Sequence, residues 1–225
     1  MHPKRVLPEP PAPRPEGLVG EAYEALKASV LDLSLPPGYE TTEPAIAEQL
    51  GMSRTPVHAA VLRLEVEGFL RVLPRRGVRV APIGPAGLRD AYGVLIALEA
   101  AAAEALAREP RAAVLAGMRA ANEACETALA ANAMTDWAAA DDRFHRLLVE
   151  GCGNPVLARL ASSMADHAQR ARAATARLRP RPTRSVAEHR AILDALAAGD
   201  AEAAREATRR HRARASAEIL AALGE

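Results

Sequence analysis

The sequence predicts a mainly α-helical protein with two domains: a small N-terminal domain that includes a β-hairpin, and a larger antiparallel, all-helical bundle. Three observations support this prediction. Aromatic residues make up only 3% of the chain and alanine is abundant, so helices can approach one another closely. A chain of 225 residues with 49% hydrophobic content can bury two separate cores. Helical periodicity recurs almost without interruption after residue 84.

Proline dominates the start of the chain. Residues 1–17 contain six prolines and few side chains that could be buried, so we expect a disordered arm. Residues 18–33 repeat apolar side chains at helical spacing and end before the Leu-Pro-Pro-Gly run of residues 35–38. This segment is expected to form a scaffold helix that packs under the first domain.

Two short helices are expected next. Thr42 can cap the first one with its hydroxyl, and Gly51 can end it in the left-handed conformation. The second helix opens at Thr55 and Pro56, because proline needs no amide partner in a first turn. Its apolar side chains recur at helical spacing, at Val57, Val61 and Leu64. This second helix is the expected recognition helix.

A basic hairpin follows these helices. Two short strands, residues 70–73 and 78–81, flank a turn at residues 74–77. Helix, turn, helix and hairpin in this order predict a winged helix-turn-helix domain over residues 18–83. Its second half concentrates six arginines: Arg54, Arg63, Arg71, Arg75, Arg76 and Arg79. Guanidinium groups pair with phosphates and guanine edges, so the arrangement indicates nucleic acid, although any single arginine is more often a solvated surface residue.

Several motifs of this domain resemble those of GntR-type bacterial transcription regulators: AEQLGMSRTPV at residues 47–57, LEVEG at residues 64–68, and Arg76-Gly77. The resemblance implies DNA contacts from Ser53, Arg54, Thr55, His58, Arg75, Arg76 and Gly77, and the basic cluster adds Arg63. The chain has His58 and Ala59 where the family usually has arginine and glutamate. A histidine at this position can donate to a base edge, weakly and with a pH dependence.

Six helical segments follow a short linker at residues 82–85. Their expected bounds are 88–108, 111–131, 136–150, 155–179, 186–198 and 201–223. Start signals are Thr135, Asn154 before Pro155, and Ser185 with Glu188 as a capping box. The breaks between segments are too short for anything other than neighbouring helices. Residues 84–225 are therefore expected to form an antiparallel bundle.

Four polar side chains of the bundle are candidate metal ligands. Asp141 and His145 are four residues apart and share one helix face. His189 and His211 fall on the inward faces of the last two helices. One carboxylate and three imidazoles suit zinc, nickel or a similar divalent ion. Each histidine taken alone is more often a core residue than a ligand, and it is the set that favours a metal.

The sequence around these residues resembles the FCD effector domain of the FadR-type GntR subfamily over roughly residues 85–223. The matching runs are 141–147, 153–155, 188–192 and 199–211. The resemblance implies the four residues as metal ligands and a small organic acid as effector. Leu95 stands where the family often has a carboxylate-binding arginine. Other residues are therefore candidates for the effector pocket: His167, Arg170, Arg172 and Glu99.

The remaining polar residues are expected to have structural roles. Asp142 lies about 100° round the helix from Asp141 and is expected to form a solvent-side ion pair with Arg146. Cys125 and Cys152 form no C-x-x-C pair, which argues against a thiolate metal site and fits a reducing compartment. Both cysteines are expected to be buried.

These observations predict a cytoplasmic transcription regulator that is not an enzyme. It is expected to act as a homodimer on a palindromic operator and to bind a small carboxylate at or near zinc or nickel. The sequence has no apolar run long enough to span a membrane and no signal-peptide pattern. A regulator that senses the metal alone is one alternative. A metal-dependent hydrolase is another, but the sequence lacks H-E-x-x-H and a carboxylate placed as general base.

Overall fold

The computed structural model describes residues 15–224, with side chains from residue 17 onward. The chain divides into two compact units, Met1–Pro82 and Ile83–Glu225. Most of the expected disordered arm lies outside the described residues. Its last three residues are helical, because the first helix already begins at Pro15. The expected end of the arm was therefore too late, since proline is well tolerated in a first helical turn.

The first unit combines three helices with a small sheet. Its elements are α1 (Pro15–Leu31), β1 (Glu40–Thr41), α2 (Glu43–Leu50), α3 (Arg54–Val66), β2 (Leu70–Leu73) and β3 (Gly77–Val80). The strands are antiparallel in the order β1-β3-β2. The predicted winged helix-turn-helix order is confirmed. Strand β1 was missed, because two residues are too few to show an alternating pattern.

Local signals set the ends of α2, and one apolar stripe holds α3 in place. The Ala45 amide donates to Thr42 Oγ1 at 3.3 Å, and Gly51 adopts a φ of 63°. Both features match the predicted cap and stop. The predicted stripe of α3 is fully buried in one core with residues of α1: Val57, Val61 and Leu64 against Ala22, Leu26 and Val30. This burial leaves the opposite face of α3 exposed.

The hairpin formed by β2 and β3 is the wing of this domain. Gly77 is required where this wing pairs with β1. It has a φ of 108°, and a β-carbon at this position would lie 2.2 Å from the Thr41 carbonyl oxygen. We expect Gly77→Ala to destabilise the sheet by about 2 kcal/mol, because strain and a backbone clash combine. Amide hydrogen exchange of Val80, which donates to the Tyr39 carbonyl at 2.9 Å, measures the loss.

Gly38→Ala is the matched control for this prediction. Gly38 also has a positive φ, of 83°, but nothing lies within 4 Å of a β-carbon built there. Gly38→Ala should therefore lower the free energy of unfolding by the cost of the backbone conformation alone, about 1 kcal/mol. Equal effects of the two substitutions would contradict the clash with Thr41.

The second unit is an all-helical bundle. Its helices are α4 (Pro85–Arg108), α5 (Ala112–Ala130), α6 (Met134–Gly151), α7 (Pro155–Thr175), α8 (Thr183–Ala197) and α9 (Ala201–Ala222). Helix α4 packs against α9 and α7, and α5 packs against α6 and α8. Phe144, Leu148 and Ile192 are fully buried in its core. The predicted number and order of helices in this unit, and with them the fold class, are confirmed within residues 15–224.

Only one of the three predicted helix-start signals in this unit is confirmed. Asn154 Oδ1 accepts from the amides of Val156 and Leu157, each at 3.1 Å. Thr135 lies inside α6, which follows Ala133. Ser185 lies inside α8 and is buried, and its hydroxyl accepts from Arg214 at 3.1 Å. The capping-box prediction was wrong because a tertiary contact uses this hydroxyl.

The two cysteines differ in their surroundings. Cys125 is fully buried in α5, and burial raises the pKa of its thiol to about 12. Cys152 is only half-buried, in the turn after α6, where its sulfur lies 3.4 Å from the Asn154 amide. The expectation that both are buried is correct for Cys125 alone. Among residues 15–224, every helix is too short or too polar to cross a bilayer.

Candidate DNA interface and metal centre

Most of the predicted DNA contacts lie at two exposed places in the first unit, the start of α3 and the turn between β2 and β3. Ser53, Arg54 and Thr55 are exposed at the start of α3, where the buried stripe leaves them free to approach a groove. Arg75 and Arg76 are exposed in the turn between β2 and β3. The structure therefore presents guanidinium groups at the entry of a helix and at the tip of a hairpin, as the sequence predicts.

His58 is also exposed, but one of its nitrogens is already engaged. Its Nδ1 lies 2.9 Å from Glu43 Oε1 on α2. Only Nε2 is then left to meet a base edge. The contact with Glu43 was not expected from the sequence, because the two residues are 15 positions apart on different helices.

Arg63 makes two contacts within the first unit. Its guanidinium carbon lies 3.6 Å from the ring centroid of Tyr23 on α1, and its Nε donates to Glu67 at 3.2 Å. By the helical period it lies about 140° round α3 from His58. Its side chain is still 56% exposed, so Arg63 remains a predicted DNA contact.

The four candidate metal ligands meet in the interior of the bundle. One nitrogen or oxygen atom of each lies within 4.8 Å of the corresponding atom of the others, and all four residues are buried. Helix α6 contributes Asp141 and His145, α8 contributes His189, and α9 contributes His211. The Nε2 atoms of His145 and His211 are 3.2 Å apart, and His189 Nε2 is 3.5 Å from Asp141 Oδ1.

Each histidine of this cluster is oriented by an acceptor outside it. The Nδ1 atom of His189 lies 3.1 Å from Asn122 Oδ1, that of His145 lies 3.0 Å from Glu99, and that of His211 lies 2.8 Å from Glu188. The acceptors are Asn122, Glu99 and Glu188. Asn122 cannot turn its oxygen away, because its amide nitrogen donates to the Val186 carbonyl at 3.2 Å. All three Nδ1 atoms therefore face outward, and those of His189 and His211 have hydrogen-bond geometry, whereas within the described residues that of His145 has only the ion-pair distance to Glu99.

The inward Nε2 atoms are consequently left as acceptors. Within the described part of the chain, His189 Nε2 has no hydrogen-bond partner, although it is completely buried. Three acceptor nitrogens and a carboxylate facing one another repel unless a cation lies between them. Outer-shell acceptors on Nδ1 are also the usual way in which proteins orient metal-binding histidines. The residues present therefore fit a divalent metal ion.

The pKa values of the cluster residues also favour neutral imidazoles, which can accept through Nε2, and an ionised carboxylate. Burial, reinforced by Arg212, lowers the pKa of His145 to about 4, and burial holds the pKa of His189 well below its ordinary value. Burial alone would raise the pKa of Asp141, but His145 and Arg172 outweigh it and keep that pKa well below the usual range. At neutral pH, His145 and His189 are neutral and Asp141 is ionised.

Residues 90–214 match the family model of the FCD domain, and residues 18–80 match that of the gntR family of bacterial regulatory proteins. The chain belongs to the GntR family. It is a transcription regulator with a DNA-binding GntR domain and an FCD effector-binding domain, and both resemblances drawn from the sequence are confirmed. Members of this family are regulators and not enzymes.

Relatives and solved structures agree with this assignment. An uncharacterized HTH-type regulator in the TAR-I ttuE-ttuC' intergenic region of Agrobacterium vitis is 46% identical over 59% of this chain and 80% of its own length. Another, from an unstable DNA locus of Streptomyces ambofaciens, is 31% identical over 85% of this chain and 80% of its own. The structure titled E. coli McbR/YncC has a TM-score of 0.78 at 22% identity, covering 90% of this chain and 96% of its own, and so has the same fold.

A cavity of about 310 Å³ lies beside the histidine cluster of the regulator. His145 lines it, together with side chains of α4, α6, α7 and α9. Of the effector-pocket candidates, Glu99 and Arg172 line this cavity, whereas His167 and Arg170 are not among its lining residues. On α7 the lining positions recur at helical spacing, at residues 158, 159, 161, 162, 165, 166, 169 and 172. His167 and Arg170 lie on another face of that helix.

The regulator holds Asp142 inside the bundle. It forms an ion pair with Arg172 of α7, and its carboxylate is only 32% exposed. The predicted surface pair with Arg146 was wrong, because α7 brings a residue 30 positions away into contact. Burial raises the pKa of Asp142 in spite of this arginine. Arg172 also lies 3.7 Å from Asp141 Oδ2, so it links the cavity to a candidate ligand.

Arg212 is a cavity residue that the helical pattern did not reveal. It directly follows His211 and so lies about 100° round α9 from that inward residue, but its side chain is only 3% exposed. Its Nε donates to Glu99 Oε2 at 2.6 Å, and Glu99 also faces His145. The available signal was Glu99 itself, a charged residue within the apolar run of residues 94–103. A buried carboxylate of this kind requires a partner.

Proposed function

We propose that this regulator binds its operator under the control of a small organic acid, held in the cavity beside a divalent metal ion. The proposed metal ligands are Asp141, His145, His189 and His211. The supporting observation is the orientation of the three imidazoles, whose Nδ1 atoms face outer acceptors while their Nε2 atoms converge. Zinc and nickel both suit this set of nitrogen and oxygen donors. Such an ion would add positive charge beside the cavity and so attract a carboxylate.

The cavity walls are suited to a small polar acid. Arg172 and Arg212 supply guanidinium groups, Ser162 and Gln169 supply neutral polar groups, and one part is apolar, with Val149, Ala158, Ala161 and Ala165. Glu99 orients both Arg212 and His145, so a ligand that contacts Arg212 is coupled to the histidine cluster through one carboxylate. Arg172 couples the cavity to Asp141 in the same way.

A regulator that senses the metal alone is the second candidate. It is favoured by the pairing of the two most buried of the four cavity arginines with carboxylates of the chain, Arg212 with Glu99 and Arg172 with Asp142. An organic acid has to compete with these pairs, whereas a metal ion does not. The two candidates differ in whether a carboxylate changes operator affinity at fixed metal concentration.

We further propose a homodimer on a palindromic operator. One winged domain reads only a half-site, and a two-fold symmetric protein matches a site with two-fold symmetry. Arg54 is the proposed base-reading residue, because it lies exposed at the start of α3. Arg75 and Arg76 of the wing are proposed to contact the backbone or the minor groove.

The test of this proposal is a titration of operator affinity. Labelled DNA from the regulator's own promoter is bound by metal-loaded and by metal-stripped protein, with a panel of small mono-, di- and hydroxycarboxylates. We expect one class of acid to change the affinity of the metal-loaded protein only. By linkage, that acid must bind free and DNA-bound protein with affinities that differ by the same factor. If the metal changes operator affinity but no acid does, the regulator that senses the metal alone remains. If neither the metal nor any acid changes operator affinity, both candidates are overturned.

Arg54→Ala should lower affinity for the specific operator roughly 10- to 100-fold and affinity for random DNA much less, because a bidentate arginine carries base discrimination. Arg75→Ala should weaken binding to both DNAs alike, since a phosphate contact carries no sequence information. Fluorescence anisotropy with the two DNAs at one salt concentration measures the difference. Equal losses on both DNAs for Arg54→Ala would refute its role in base reading.

A further inference from the structure

A second, much smaller cavity lies on the histidine cluster. Its volume is about 20 Å³, and Asp141 and His211 form part of its wall. Tyr92 of α4 and Trp137 of α6 also line it, as do arginines of α7 and α9 and the end of the α7–α8 connection. A volume of 10 to 15 Å³ is roughly what one water molecule needs. The cavity therefore accommodates a single water-sized particle and is too small for an organic acid.

Two buried polar atoms belong to the wall of this cavity and have no partner. Among the described residues, neither Tyr92 Oη nor Trp137 Nε1 has a hydrogen-bond partner. Tyr92 is 2% exposed and Trp137 is 5% exposed, so solvent does not satisfy them. The indole N–H is a donor only. Such groups normally find a partner when they are buried, so the cavity offers donors to something that accepts.

The charged wall residues comprise four arginines and two carboxylates, those of Asp141 and Glu218, and Glu218 accepts from Arg214 at 2.8 Å. Arg172, Arg212 and Arg214 each have a carboxylate partner: Asp142, Glu99 and Glu188, respectively. Arg179 is different. It donates to Thr175 Oγ1 at 2.9 Å and to the Arg172 carbonyl at 3.1 Å, and within residues 15–224 it forms no ion pair.

We propose that this cavity binds a small monoatomic anion, such as chloride, next to the metal ligand Asp141. The indole N–H, the tyrosine hydroxyl and the guanidinium of Arg179 all donate, and an anion accepts from every one of them. A water molecule would accept from two at most and would bring no negative charge to Arg179, which the carboxylates of Glu218 and Asp141 reach only without an ion-pair contact. The site is separate from the 310 Å³ cavity but shares Arg172 and Arg212 with its wall, and its occupancy changes the charge beside the histidine cluster.

Trp137 is the only tryptophan of the chain and reports on this site directly. Full-length protein is titrated with sodium bromide, which quenches indole fluorescence, at an ionic strength held constant with sodium sulfate. We expect quenching that saturates at millimolar bromide and that chloride reverses by competition. Neither DNA nor effector is needed, so the result is independent of the proposed function. The titration is run on metal-loaded and on metal-stripped protein.

Two substitutions localise the bromide response. Tyr92→Phe removes one hydroxyl, and Arg179→Gln removes the unpaired charge. Each should weaken bromide binding by roughly tenfold or more, because each deletes a hydrogen bond to a charged group. Arg177→Gln is the matched control, since Arg177 is exposed on the same segment, and it should leave the response unchanged. Quenching that rises linearly without saturation, alike in all four proteins, would overturn the proposal and leave water as the occupant.

Discussion

Replacement of Glu99 by leucine is expected to destabilise the helical unit by about 3 to 5 kcal/mol, because Arg212 then stays buried and charged without a carboxylate. Glu99 is 1% exposed and Arg212 is 3% exposed. Burial raises the pKa of Glu99, but Arg212 and His145 outweigh this effect and hold that pKa well below its ordinary value. Urea denaturation followed by Trp137 fluorescence measures this unit alone, since the first unit contains no tryptophan.

Two controls separate this effect from ordinary loss of a surface ion pair. Glu104→Leu breaks the pair with Arg108 on the same helix, whose side chains are 29% and 64% exposed, and should cost less than about 1 kcal/mol. The double variant Glu99→Leu with Arg212→Met removes both buried charges and should regain most of the lost stability. A single Glu99→Leu variant no less stable than Glu104→Leu would show that Arg212 finds another partner or water.

Loss of metal affinity at the proposed metal centre is the second large effect that we expect. Protein purified without chelator should contain about one zinc or nickel ion per chain, and His211→Ala should lower the affinity more than about 100-fold, since even residues that only orient ligands change it by about 10- to 100-fold. Elemental analysis and competition with a chromophoric chelator measure both. Retained helical circular dichroism would show that the bundle survives without the ion.

Asn122 tests the orientation of the ligands. Asn122→Ala removes the acceptor of His189 Nδ1 and should weaken metal binding by about 10- to 100-fold without abolishing it. Asn154→Ala is the matched control, because Asn154 caps α7 through its side chain and does not contact a histidine of the cluster. A protein that never takes up zinc or nickel, whatever the variant, would rule out the metal centre.

Local chemistry explains why much of the fold was predictable. The Thr42 cap, the left-handed Gly51 and the Val57, Val61 and Leu64 stripe depend on neighbours within one or two helical turns. The four histidine-cluster residues were also found from the sequence, since helical spacing decides which side of a helix faces the core. The structure brings them together as that spacing implies.

Long-range pairing explains what the sequence did not reveal. Helical spacing identifies a face but not the residue that packs against it. Arg212 pairs with Glu99 at a separation of 113 residues, His189 with Asn122 at 67, and Asp142 with Arg172 at 30. The contacts of Arg63 with the ring of Tyr23 and with the carboxylate of Glu67 were not expected either. Such partners become visible only when the helices are placed side by side.

The contrast between the two thiols makes the protein suited to single-site labelling. Cys125 is completely enclosed and its thiol is held protonated, so a maleimide dye should react with Cys152 alone. The dye would lie beside the turn that joins α6 and α7, next to the α7 face that lines the larger cavity. In the proposed homodimer, distances between two such dyes, followed on single molecules, would report how the subunits rearrange as ligands arrive, without removal of any native cysteine.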